Sequence, residues 1–142
     1  MLEFQSVVFQ YDSEDFNIID GLSFHLEKGE FVSVIGPSGC GKSTIFRLTN
    51  QLLPRKSGEI LVDGKELGAY SRRELAKKIA YIPQSHAPAF DHTVLDSVLM
   101  GMTAQLRVFE QPGQAQREKA VQMLRALGIE KLADRGCMKI SG

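Results

Sequence analysis

The eight residues GPSGCGKS, Gly36 to Ser43, constrain this chain more than any other stretch. FVSVI, Phe31 to Ile35, precedes them; it is apolar except for Ser33 and rich in β-branched residues, which reads as a strand buried on both faces. From Lys42 to about Leu52, Ile45, Leu48 and Leu52 recur at helical spacing, and Pro54 is a stop. The loop is therefore expected to join a strand to a helix. Gly36, Gly41, Lys42 and Ser43 fill every fixed position of G-x-x-x-x-G-K-[ST]. At average residue usage this would arise by chance in about one chain in two hundred of this length. Glycines let the backbone wrap so that successive N–H groups point at a β-phosphate, and the helix N-terminus adds about half a positive charge. Lys42 is placed for β and γ oxygens, and Ser43 offers a hydroxyl to Mg²⁺. Pro37, Ser38, Gly39 and Cys40 complete the loop, and Thr44 follows on the helix. A glycine-rich turn with an incidental lysine is the plain alternative, and the flanking strand and helix patterns speak against it.

The rest of the chain reads as short elements. Leu2 to Phe9 and Gly21 to Leu26 alternate as strands. Asp63-Gly64 stands between β-forming runs as a hairpin turn. Ser71 with Glu74 forms a capping box for a helix over RRELAKK, which feeds a short strand, Ile79 to Ile82, closed by Pro83-Gln84. Beyond about residue 88 the pattern turns helical, at Thr93 to Met102 and at Gln114 to Leu127, the latter with a stripe of Ala120, Val121, Leu124 and Leu127. RVFEQPGQ lies between as a loop, Gly128 is a C-cap, and a short helix is expected near Glu130 to Ala133.

Composition narrows the partners. With 142 residues, 43% hydrophobic and 24% charged, the chain has ordinary soluble composition. Seventeen basic and seventeen acidic residues cancel, so the total charge gives no reason to expect nucleic acid. Cys40 and Cys137 match no metal-ligand spacing and read as reduced thiols. No apolar run approaches the roughly 20 residues that span a bilayer, and the first residues lack a signal-peptide pattern, so the chain itself is expected in the cytosol.

On these motifs in this order the chain resembles the ATP-binding subunit of ABC transporters. FHLEKGEFVSVIGPSGCGKSTIFRLTNQLLPRKSGEILVDG is similar to that family's Walker A region, IAYIPQ to its Q-loop, and Ser141-Gly142, after Ile140, to the opening of its LSGGQ signature. The resemblance implies an α/β P-loop NTPase of the ABC type: a core with an antiparallel β subdomain over residues 1–87 and a helical subdomain over 88–142. It implies ATP and Mg²⁺ as ligands. Tyr11 would stack on adenine with Ile18 as a second wall, Lys42 and Gln84 would act at the reacting phosphate, Ser43 and Gln84 would meet the metal, and Ser141 and Gly142 would close on nucleotide. The implied partners are transmembrane permease subunits, a second ATP-binding subunit arranged head to tail, and, indirectly, an extracytoplasmic substrate-binding protein. The implied place is the inner face of the cell membrane.

RRELAKKIAYIPQ followed by TVLDSVLMGM resembles importers of iron-siderophore, haem and cobalamin complexes, although Met102 stands where near relatives carry arginine. An importer of another substrate, such as a metal ion, is the alternative within the family. Outside transport, a P-loop kinase would need an arginine-bearing lid, and only scattered Arg107, Arg117, Arg125 and Arg135 follow Gln84. DNA-repair or ribosomal ABC proteins would need long coiled-coil or basic insertions. No apolar run ends in Asp-Glu, and His25, His86 and His92 all precede Ser141, so the family's catalytic carboxylate and switch histidine have no counterpart in these residues. Residues 1–142 alone are therefore expected to bind nucleotide without turnover, and to expose apolar surface from FVSVI and the helix after the loop.

Overall fold

The computed structural model describes residues 1–84, 90–106 and 110–140. Two compact units are present, Met1–Tyr81 and Ile82–Gly142.

The first unit is built on an antiparallel four-stranded sheet. Strands β1 (Leu2–Phe9) and β2 (Ile19–Leu26) precede helix α1 (Lys42–Thr49); β3 (Ser57–Val62) and β4 (Lys65–Glu66) follow, then helix α2 (Arg72–Ala76). The strand order is β2-β1-β3-β4. Phe4, Val7 and Phe9 are the buried residues of β1. Phe4 and Val7 are three apart, which strict alternation forbids. A bulge resolves this: Ser6 has φ 47°, the ladder register shifts between Phe4 and Val7, and Val7 enters the core in place of Ser6. Ile19, Ile60 and Val62 of the sheet, Leu48 of α1, Leu67 and Leu75 complete that core. The hairpin turns at Asp63 (φ 50°) and Gly64 (φ 75°), both left-handed, the geometry that a two-residue connection requires. Ser71 caps α2, its hydroxyl accepting from Glu74 N–H while the Glu74 carboxylate accepts from Ser71 N–H.

Three sequence expectations are corrected here. Helix α1 ends at Thr49 rather than near Leu52. Gln51, at φ 53°, takes the left-handed position, and Gln51 N–H bonds to Leu48 O (3.1 Å) and Leu52 N–H to Arg47 O (2.9 Å). This is a Schellman stop without glycine, and it acts before Pro54 can. Phe31 to Ile35 is not a buried strand. Among the described residues nothing pairs with it, and Phe31 and Ile35 are 92% and 91% exposed. A run apolar on both faces becomes a strand only where neighbours lie along its edges and over its faces. The loop thus joins an unpaired extended segment to a helix. Ile79 to Ile82 likewise forms no strand; Ile79 packs on the core, while Ile82 is 91% exposed. The expected apolar exposure is observed at FVSVI and at Phe46 of α1.

The second unit centres on helices α3 (Val94–Gly101) and α4 (Gln114–Ala126). Leu99, Met102 and Ala120 form its buried cluster, with Leu95 and Val98 against it. Leu124 is buried too, but Leu127, expected on the same stripe, is the C-cap and is 73% exposed. Gly128 (φ 74°) ends α4: its N–H bonds to Arg125 O and Ile129 N–H to Leu124 O. A short 3₁₀ turn, Glu130–Leu132, follows. No helix among the described residues is long and apolar enough to cross a membrane.

Candidate functional site: the loop at the start of α1

Gly41 is the N-cap of α1, at φ 93° and ψ 6°. A Cβ there would stand 2.9 Å from Ile19 Cδ1, 3.0 Å from Ile18 Cγ2 and 3.2 Å from the Ile18 carbonyl oxygen. Handedness and space therefore both require glycine. Gly39, at φ 84°, faces open space. At Gly36 a Cβ would meet Cys40 Sγ at 2.6 Å, so the thiol folds back over the first glycine of the loop.

Among the described residues no side chain caps α1, and its first turn holds no acidic residue. The first-turn N–H groups and the positive end of the helix dipole face the loop. Lys42 adds a full charge: its Nζ donates to Gly36 O (2.8 Å) and Pro37 O (2.6 Å) and lies 3.8 Å from Cys40 Sγ. Neutral carbonyls hold it, so the charge is not cancelled. The chemistry of this donor set, amides plus an ammonium with no carboxylate, fits a polyphosphate. Ser43 is exposed on the first turn, and Thr44 is buried. No group of three His, Cys, Asp or Glu side chains able to hold a metal occurs among the described residues. A single hydroxyl such as Ser43 suits Mg²⁺, which keeps several waters and takes phosphate oxygens as its other ligands.

Residues distant in sequence meet at this loop. Tyr11 and Thr44 share a hydrogen bond between their hydroxyls at 3.2 Å. The Tyr11 ring stands edge-on to Phe9, with centroids 4.7 Å apart and planes at 89°. Ile18 N–H donates to Phe9 O at 2.9 Å, which sets Ile18 and Ile19 against Gly41. The first unit thus gathers Tyr11, Ile18, Gly36, Pro37, Ser38, Gly39, Cys40, Gly41, Lys42, Ser43 and Thr44. Gln84 belongs to the second unit and is exposed there; Ser141, Gly142 and His86 lie outside the described residues. Ile19 is the contact that sequence reading did not single out. Its only signal is a second β-branched residue directly after Ile18.

In the second unit the pronounced electrostatic feature is the cap of α3. The Thr93 hydroxyl donates to Asp96 Oδ2 (2.7 Å), and Thr93 N–H reaches the same oxygen (3.2 Å). These bonds hold the Asp96 carboxyl below its ordinary value of 3.8, with Arg117 and His92 adding to the effect.

Known proteins resemble this chain in sequence and in fold. The family model described as ABC transporter matches residues 19–142. A Helicobacter pylori protein (strain 26695) named "Probable iron chelatin transport ATP-binding protein" is 36% identical over 143 residues, covering 100% of this chain and 55% of that protein. The chain spans about half the length of the curated relatives it matches. Two solved structures are similar across 99% of the chain. One is a dimeric post-hydrolysis ATP-binding cassette bound to ADP and phosphate (TM-score 0.80, 25% identity, 63% of that chain). The other is a transporter assigned to the metal-chelate type, in an inward-facing conformation (TM-score 0.76, 30% identity, 50% of that chain). The fold is that of the ABC-type P-loop NTPase, in its N-terminal part, and the chain belongs to the ABC transporter family.

Proposed function

We propose that this chain is the ATP-binding part of an importer subunit whose cargo is an iron-siderophore, haem or cobalamin complex. The observation that carries the reading is the left-handed Gly41 at the head of an uncapped α1, with the Lys42 ammonium held beside it by neutral carbonyls. Gly36 to Gly41 and the first-turn amides bind the phosphates, and Lys42 neutralises their charge. Tyr11 and Ile18 receive the adenine. Ser43 would hold Mg²⁺ and Gln84 would meet it, and the ion would neutralise phosphate charge when bound. Ser141 and Gly142 close on the nucleotide of a second copy placed head to tail.

The cargo class is supported by the iron chelatin name of the Helicobacter pylori relative and the metal-chelate assignment of the structural neighbour. The subunit sits at the inner face of the membrane through transmembrane permease subunits, and a capture protein outside the membrane selects the cargo. No nucleic acid takes part. An importer of another cargo, such as a metal ion, would use the same loop. Turnover requires a carboxylate and a γ-phosphate clamp that residues 1–142 do not offer, so these residues bind ATP and hydrolysis belongs to the longer subunit.

The test is a Mg-ATP titration of the full-length subunit, followed by ATPase assay with its permease in vesicles loaded with ferric siderophore, haem or cobalamin. Saturable binding and cargo-stimulated turnover are expected. Absence of binding at millimolar ATP refutes the loop assignment, and phosphoryl transfer to a nucleoside without permease would make the protein a kinase.

A further inference from the structure

The first N–H groups of a helix have no partners within it and usually turn to a cap or to water. In α3 they turn to a distant segment of the same unit. Val94 N–H donates to Arg135 O and Leu95 N–H to Ala133 O, each at 3.0 Å. Thr93 and Gly136 form an isolated antiparallel bridge, and Cys137 N–H donates to His92 O at 2.8 Å. Residues 133–137 therefore serve as a backbone cap, with carbonyls set against the positive end of the helix.

A side-chain chain closes the same junction. His92 Nδ1 lies 2.9 Å from Phe90 O, His92 Nε2 lies 2.8 Å from Ser97 Oγ, and Ser97 Oγ lies 3.1 Å from Cys137 Sγ. A carbonyl only accepts, so Nδ1 carries the hydrogen. In the neutral ring Nε2 then accepts from the Ser97 hydroxyl, and the Ser97 oxygen is left to accept from the Cys137 thiol. The Ser97 hydroxyl thus bonds both the His92 ring and the Cys137 thiol, while the His92 carbonyl takes the Cys137 N–H.

We propose that Ser97 is a positioning residue: with His92 and Cys137 it locks the segment that runs into Ser141 onto the N-terminus of α3, so that the two move as one piece. The inference rests on the reading of Ser141-Gly142 as the opening of the signature. Under that reading, displacement of α3 by a permease reaches the nucleotide through this latch, whereas ATP affinity is set at the loop in the first unit.

The experiment compares Ser97→Ala and Ser97→Thr in the full-length subunit with its permease, measuring ATP affinity, basal turnover and the ratio of permease-stimulated to basal turnover. For Ser97→Ala, affinity and basal turnover hold while the stimulation ratio falls about fivefold, the weight of one net hydrogen bond; Ser97→Thr, which keeps the hydroxyl, restores it. An unchanged ratio, or a proportional fall of basal and stimulated rates as in simple loss of folded protein, overturns the latch. If the wild type shows no stimulation, the transport reading fails, and amide exchange decides the latch separately. Ser97→Ala should then speed exchange at Val94, Leu95 and Cys137 together by about fivefold. Acceleration at Cys137 alone, or nowhere, overturns it.

Discussion

The hydroxyls of Tyr11 and Thr44 lie 3.2 Å apart and tie the chain leaving β1 to the first turn of α1. Thr44 is 5% exposed, so its hydroxyl depends on this partner. Tyr11→Phe should cost about 1 kcal/mol of stability, one net hydrogen bond. Tyr11→Ala also loses the edge contact with Phe9 and part-buried ring area, and should cost about 2–3 kcal/mol. Urea unfolding of the full-length protein measures both. Equal costs would mean that the ring contributes nothing beyond its hydroxyl.

Lys42 gives a second prediction. Its ammonium is held by two neutral carbonyls, at 2.8 and 2.6 Å, and is thus available to exchange them for phosphate oxygens. A charge-assisted bond contributes about 1.5–3 kcal/mol, so Lys42→Ala should weaken Mg-ATP binding roughly ten- to hundredfold in calorimetric titration. Unchanged affinity would remove Lys42 from the site.

What the sequence made legible was local. The span of β1, the Asp63-Gly64 turn, the Ser71–Glu74 box and the Gly128 cap each depend on a few adjacent residues, and each stands where it was expected. The loop was legible for the same reason: Gly41 answers a dihedral requirement that only glycine meets at low cost. FVSVI was legible as apolar, and its exposure was expected, but its reading as a strand buried on both faces failed, because such a strand is decided by neighbours rather than by its own residues. The end of α1 was misplaced because Gln51 takes a left-handed angle that sequence reserves for glycine or asparagine. The contact of Ile19 with Gly41 depends on how β2 passes the loop, and no periodicity reports that.

Gly58 tests the bulge that places Val7 in the core. Its φ is 82°, and a Cβ there would stand 2.6 Å from Gln5 O and from Ser6 C, backbone atoms of the bulged strand that cannot swing aside. Gly64 has a similar φ of 75° but nothing within 4 Å. Gly64→Ala should cost only the left-handed strain, about 1–2 kcal/mol, and Gly58→Ala roughly 2 kcal/mol more. Urea midpoints that agree for the two variants would show that β1 yields without cost.

Asp96 predicts the acid limb of stability. Bonds from the Thr93 hydroxyl and amide, with Arg117 and His92 nearby, lower its folded value below 3.8. A depressed carboxyl stabilises the folded state fully above the unfolded value of about 3.9 and loses that contribution as pH falls through the lower folded value. Asp96→Asn keeps an acceptor for the cap but cannot ionise. The difference in melting temperature between wild type and Asp96→Asn, followed from pH 6 downward, should be constant to about pH 5 and then shrink below about pH 4. Growth of the difference toward low pH would mean that the charged carboxylate opposes folding, and would place the stabilising proton on Asp96 rather than off it.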